Sequence, residues 1–153
     1  MNHARILGVG SPSGDDQAGW LVIDALAGLA NDFDLRKLDR PGAGLIELLD
    51  GMERVILIDA MHSGAAVGTI RRFDRHDWPG YAHGLSSHGF GVAEALALAD
   101  ALDTLPVELT LHGIEIASAT PNGTPCDAVR VAARTLAGRI VAEFKEDSAR
   151  AGQ

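Results

Sequence analysis

Four consecutive aliphatic residues, Val55-Ile-Leu-Ile58, stand between Arg54 and Asp59. A strand with one wet face alternates apolar and polar side chains, so an unbroken apolar run predicts a strand covered on both faces. ARILGVG (residues 4–10) and VELTLHGIEI (107–116) read as two more strands. Between the strands, apolar residues recur at helical spacing: Ala18, Leu21, Val22, Ala25, Leu26 and Leu29; then Val92, Ala95, Leu96, Ala99 and Leu102; then Val129, Ala132, Leu136, Ile140 and Phe144. FDLRKL (33–38) alternates as a half-exposed strand, GLIELLDGM after Gly42 reads as a short helix closed by Gly51, GTIRRF (68–73) as an edge strand and residues 74–85 as a long loop. Strands alternating with helices predict an α/β fold of three layers. Its sheet is mostly parallel and twisted, with helices on both faces and room for an antiparallel strand at one edge. Ligands bind such sheets outside the carboxyl ends of the strands.

A chain of 153 residues with this apolar content fits one domain over 1–153, with 145–153 expected as a frayed polar tail. The formal net charge of -8 argues against nucleic acid or an anionic membrane as partner, since both are bound by excess Lys and Arg. Cys126 is the only cysteine, so no intrachain disulfide forms. No stretch has the length of a membrane span or the layout of a signal peptide, and the expected location is cytoplasmic.

The first strand runs into GVGSPSGDDQAGW (8–20), which begins like a phosphate-cradling loop. Gly8, Gly10 and Gly14 give GxGxxxG, a departure from the dinucleotide fingerprint. Asp15 and Asp16 weigh further against it: a carboxylate about 4 Å from a phosphate costs about 4 kcal/mol at an effective dielectric near 20. A helix terminus returns only ~0.3–1 kcal/mol. The glycines are expected to let the chain turn tightly.

One carboxylate of the pair serves as a helix cap, and Asp15 suits that role. Capping does not need Asp16 as well, and adjacent carboxylates beside Asp59 repel unless a cation or proton is shared. Asp59 puts a charge at the mouth of a buried strand. His88, in SSHG before a helix, adds an imidazole, whereas His3, His62, His76, His83 and His112 read as ordinary surface or capping histidines. Asp16, Asp59 and His88 make a mixed oxygen and nitrogen set for nickel, zinc or iron, placed at an exposed rim where Asp39 also lies.

In order along the chain stand GxG(S)xxGDD, VILIDA followed by VGT, SSHG before a helix, and LHGIE. Over residues 4–145 this chain resembles the hydrogenase maturation proteases. The resemblance implies an aspartic-type endopeptidase that activates nickel-iron hydrogenase by removing a carboxyl-terminal extension from the large-subunit precursor after nickel insertion. It places the metal ligands at Asp16, Asp59 and His88. It also implies that the nickel belongs to the substrate, so no cofactor is permanently bound, although other divalent ions can occupy the site. Water activation falls to Asp16, Asp39 or the metal, and substrate contact to Asp39 and Gly42. The expected partner is the hydrogenase large-subunit precursor, and the protease itself is expected to be a monomer.

This chain departs from the family pattern in having Ser11 where Asn is usual, Gln17 where Gly is usual, and Asp39-Arg-Pro-Gly-Ala-Gly44 in place of DGGTxG. Two other readings compete. A phosphoacceptor receiver domain shares the acidic pair and the strand-three Asp, but it needs a lysine after its last strand; Lys37 and Lys145, the only lysines, are misplaced for that. A non-catalytic nickel-binding chaperone or sensor would use the same three ligands.

Overall fold

The computed structural model describes residues 4–29, 32–77, 79, 91–117 and 123–152. The apolar run forms β3 (Arg54–Met61), and its side chains divide as its period of two requires. Ile56, Ile58 and Ala60 enter one apolar cluster, while Val55, Leu57 and Met61 enter another on the opposite face. β1 (Arg5–Gly10) and β5 (Glu108–Glu115) lie on either side of β3 and parallel to it. β2 (Asp34–Asp39) adds in parallel outside β1, and β4 (Ile70–Asp74) closes the other edge antiparallel to β5, giving the order β2-β1-β3-β5-β4. The antiparallel edge strand foreshadowed by residues 68–73 is therefore β4.

Helices cover both faces. α1 (Ala18–Leu29) and α4 (Asp127–Ala151) bring Val22, Ile23, Leu26, Val129, Leu136 and Ile140 onto the face of Ile56 and Ile58. α2 (Leu45–Leu49) and α3 (Val92–Ala101) bring Leu45, Leu49, Val92 and Leu96 onto the face of Val55 and Leu57. Each such side chain, fully buried, contributes about 1.5–3 kcal/mol, which explains why both helix layers follow from one strand's composition. Among the described residues no helix is long and apolar enough to cross a membrane.

Two expectations need correction here. Residues 145–151 are not frayed: α4 continues through Ala151. The reason is long-range. Phe144 packs edge-on against Phe33 with ring centroids 4.8 Å apart, Arg54 stacks 3.9 Å above the Phe144 ring, and the same Arg54 donates to Asp147 at 3.0 Å. His112 is not a surface or capping histidine either, because it lies within β5 and is buried. Of the long loop expected at 74–85, residues 75–77 form a turn, and 78 and 80–85 lie outside the described residues.

Burial, and then the positive charge of Arg72, lowers the His112 pKa to about 4, with Asp74 opposing and Arg139 adding a smaller contribution. Its Nδ1 has no hydrogen-bond partner among the described residues. The native state therefore binds fewer protons than the unfolded chain between about pH 6.5 and pH 4. Stability should be full above that window and fall by up to about 3 kcal/mol across it as pH drops. Urea unfolding at a series of pH values checks this, and His112→Gln should remove that component of the slope.

A second expected outcome concerns helix packing. A Cβ on Gly19 would lie 2.5 Å from the Val9 carbonyl oxygen and 2.7 Å from that of Ile58, whereas one on Gly138 would meet nothing within 4 Å. Gly19→Ala should destabilise by about 2–3 kcal/mol, because main chain cannot move aside as a side chain can. Gly138→Ala, inside α4, should stabilise by roughly 0.5–1 kcal/mol. Denaturant titration measures both.

Candidate active site

The site begins with how closely α1 approaches the sheet. A Cβ on Gly8 would fall 2.4 Å from the Gly19 carbonyl oxygen, and one on Gly10 would fall 2.5 Å from that of Asp16. Tight turning accounts for only one glycine of the motif, Gly14, with φ +52. Gly8 and Gly10 lie inside β1 and are bare so that helix backbone can lie against strand backbone. The 3-10 turn Gly14–Gln17 is thereby seated on the carboxyl end of the sheet, and Asp15 and Asp16 are buried at 3% and 4% exposure. The rim expected to expose Asp16 instead covers it.

Four carboxylates are buried here, and their hydrogen bonds separate them into two kinds. Asp15 accepts the Ala117 N–H at 3.0 Å and the Cys126 N–H at 2.7 Å, and the Cys126 thiol lies 3.5 Å from its Oδ2. It does not cap its own helix as expected. It fastens the first turn to the end of β5 and to the start of α4, where a negative charge also suits the helix dipole. Glu115, buried at the end of β5, accepts the Ser63 N–H with both oxygens at 3.0 Å and also the Ser63 hydroxyl. It holds the chain leaving β3. Its role was not anticipated, although it repeats the signal that marked Asp59: an acid at the end of a buried apolar strand.

Asp16 and Asp59 are the other kind. Asp16 Oδ2 accepts the Ser11 hydroxyl at 2.5 Å, and the backbone closes this loop through Ser11 N–H to the Asp16 carbonyl at 3.3 Å. Ser11 therefore matters more than a substitution for Asn would suggest. Asp59 does not close β3: pairing with β5 runs on to Met61, so Asp59 sits opposite Gly113 inside the strand. That placement buries it. Its Oδ1 accepts the Ala60 N–H at 2.8 Å, while Oδ2 has no hydrogen-bond partner among the described residues. Burial holds the Asp59 carboxyl well above the usual carboxylate range; the Ala60 N–H opposes this, and the charge of Asp16 adds to it. Two carboxylates that interact in this way, one with an orphaned oxygen, can receive a cation or share a proton.

The remaining candidates are arranged differently. Asp39 ends β2 opposite Gly10, on the same rim, but its side chain is 50% exposed and accepts Arg40 Nε at 2.8 Å. Gly42, with φ +56, opens the 3-10 turn that leads into α2. Arg40 itself has φ +43. Such backbone in a residue other than glycine costs about 1–3 kcal/mol, whereas an exposed ion pair returns about 0–1 kcal/mol, so its bond to Asp39 does not account for it. His88, with Ser87, lies outside the described residues. Among the described residues no group of three or more His, Cys, Asp or Glu side chains gathers as a metal site.

No curated protein sequence matches the chain. Solved structures do. The hydrogenase maturating endopeptidase HybD from Escherichia coli superimposes with a TM-score of 0.81 at 22% identity, over 95% of this chain and 93% of its own. HybD, a [NiFe] hydrogenase maturation protease from Thermococcus kodakarensis, gives a TM-score of 0.73 at 23% identity over 93% and 98%. The [NiFe] hydrogenase maturation protease HycI from Thermococcus kodakarensis KOD1 gives 0.70 at 23% identity over 94% and 93%. At these identities the likenesses establish the fold. The sequence model of the HycI family of hydrogenase maturation proteases matches residues 41–143, a span that holds Gly42, Asp59 and His88 and leaves Asp16 and Asp39 before it. A match over most of the chain discards the receiver reading: this protein belongs to the hydrogenase maturation protease family.

Proposed function

We propose that this protein is the endopeptidase that removes the carboxyl-terminal extension of a nickel-iron hydrogenase large-subunit precursor, and that it recognises the nickel already inserted there. The observation that carries the reading is the Oδ2 of buried Asp59, which has no hydrogen-bond partner among the described residues, with Asp16 beside it. A buried polar atom without a partner costs about 1–3 kcal/mol, a cost that an arriving cation recovers. The donor chemistry fits a first-row divalent ion, with oxygens from Asp16 and Asp59 and the imidazole nitrogen that the resemblance assigns to His88. The nickel is treated as part of the substrate.

Each residue then has a role. Asp59 offers its free oxygen from inside the strand, where β5 pairing leaves it little room to swing. Asp16 offers a carboxylate whose other contacts are fixed by Ser11. Metal brought to these groups supplies Lewis-acid polarisation of a carbonyl or a water. Asp39, exposed on the same rim, is the candidate general base in an aspartic-type cleavage and, with Gly42, the candidate contact for the peptide. A cytoplasmic monomer fits this role. The nickel-chaperone reading shares the ligands, and membership in a protease family favours cleavage over carriage.

The test is an incubation of metal-stripped protein with nickel-loaded and nickel-free precursor. Wild-type protein should shorten only the loaded form. Asp59→Asn and Asp16→Asn should lower that rate by at least a hundredfold while retaining cooperative unfolding. Equal cleavage of both precursor forms would remove nickel recognition, and full activity of either variant would remove its carboxylate from the site.

A further inference from the structure

Arg40 is held where an arginine is poorly accommodated. Its left-handed backbone, φ +43, immediately precedes Pro41, and a residue before proline is pushed sterically toward extended backbone. Asp103, the other described residue besides glycine with positive φ, has a short polar side chain that eases this conformation; arginine does not. The Arg40 N–H donates to the Gly10 carbonyl at 3.1 Å, which pins the residue to the end of β1, next to the Ser11 that binds Asp16.

The side chain is 60% exposed. Nε is taken by Asp39 at 2.8 Å, and the two terminal amino groups have no partner among the described residues. The strained backbone thus carries a guanidinium whose outer edge meets no partner among the described residues and whose inner edge is oriented by Asp39. Glycine at this position would relieve the strain and lose only the fork.

We propose that Arg40 is a specificity-determining residue, whose guanidinium takes a carboxylate of the precursor segment laid across the strand ends. The inference rests on the protease reading and adds a substrate feature to it. A planar pair of N–H donors matches a carboxylate in two parallel bonds, a geometry that lysine lacks. The setting points the same way: exposed Asp39 makes this margin unfavourable to an acidic peptide, and the cation beside it gives such a peptide one attractive register.

The experiment compares wild type, Arg40→Gly and Arg40→Asn, the last tolerating left-handed backbone without a charge. Thermal midpoints of Arg40→Gly should rise by a few degrees. For nickel-loaded precursor, both variants should raise KM about tenfold, more than they change kcat, and should flatten the rise of KM with added NaCl. A merely structural arginine cannot gain stability and lose substrate affinity together. Precursors with the acidic side chains of the extension amidated, and synthetic extension peptides with free or amidated carboxyl ends as competitors, distinguish a side-chain carboxylate from the terminal one. Unchanged KM and salt dependence in both variants would overturn the proposal. Anisotropy of labelled precursor reads the same affinity loss without cleavage, so failure of proteolysis in the wild type would count against the protease reading alone.

Discussion

The structure depends on one main-chain contact: α1 and the 3-10 turn before it against β1 and β3 at Gly8, Gly10 and Gly19. Side chains normally separate a helix from a sheet, and here they are missing at the three points where carbonyl oxygens of one element come within about 2.5 Å of where a Cβ would stand on the other. The close approach lowers the turn that precedes α1 onto the strand ends. Burial of Asp15 and Asp16 follows from it, and so does the influence of Asp16 on Asp59.

Burying four carboxylates in one corner is costly unless each is compensated. Asp15 and Glu115 are compensated by backbone amides from elements far away in sequence, so they act as fasteners for α4 and for the chain after β3. Asp59 is compensated at Oδ1 by the Ala60 N–H but has no partner for Oδ2 among the described residues, and Asp16 has its contact with Ser11. The proposed metal site rests on that difference. Asp15 and Glu115 have oxygens occupied by distant amides, whereas Asp59 Oδ2 retains capacity for a ligand from outside. Arg40 extends the same pattern to the margin, where backbone strain is retained under a side chain whose terminal amino groups have no partner among the described residues.

Periodicity made the layers legible: Val55 to Ile58 already specified a two-sided strand, and the apolar spacing from Ala18 and from Val92 specified the helices beside it. Asp16 and Asp59 stood out in the sequence because charge next to a buried strand needs a reason, and both are buried. What was not legible lies in long-range partners. Asp15 looked like a local cap because Ala117 and Cys126 are close only after folding. The end of α4 looked frayed because Arg54 and Phe33, which hold it, belong to other elements. Asp59 looked terminal because only the register with β5 shows the strand continuing. The glycines looked like turn formers because close backbone approach is a tertiary property.

The central claim is that Asp16 and the free oxygen of Asp59 receive one cation. Anomalous diffraction from crystals soaked in Zn2+, a probe with carboxylate distances of about 2.0–2.2 Å, tests it directly. The account predicts a single strong peak at that distance from Asp59 Oδ2 and from an Asp16 carboxylate oxygen. A fully occupied zinc elsewhere on the rim, with Asp59 Oδ2 still unligated, would contradict it.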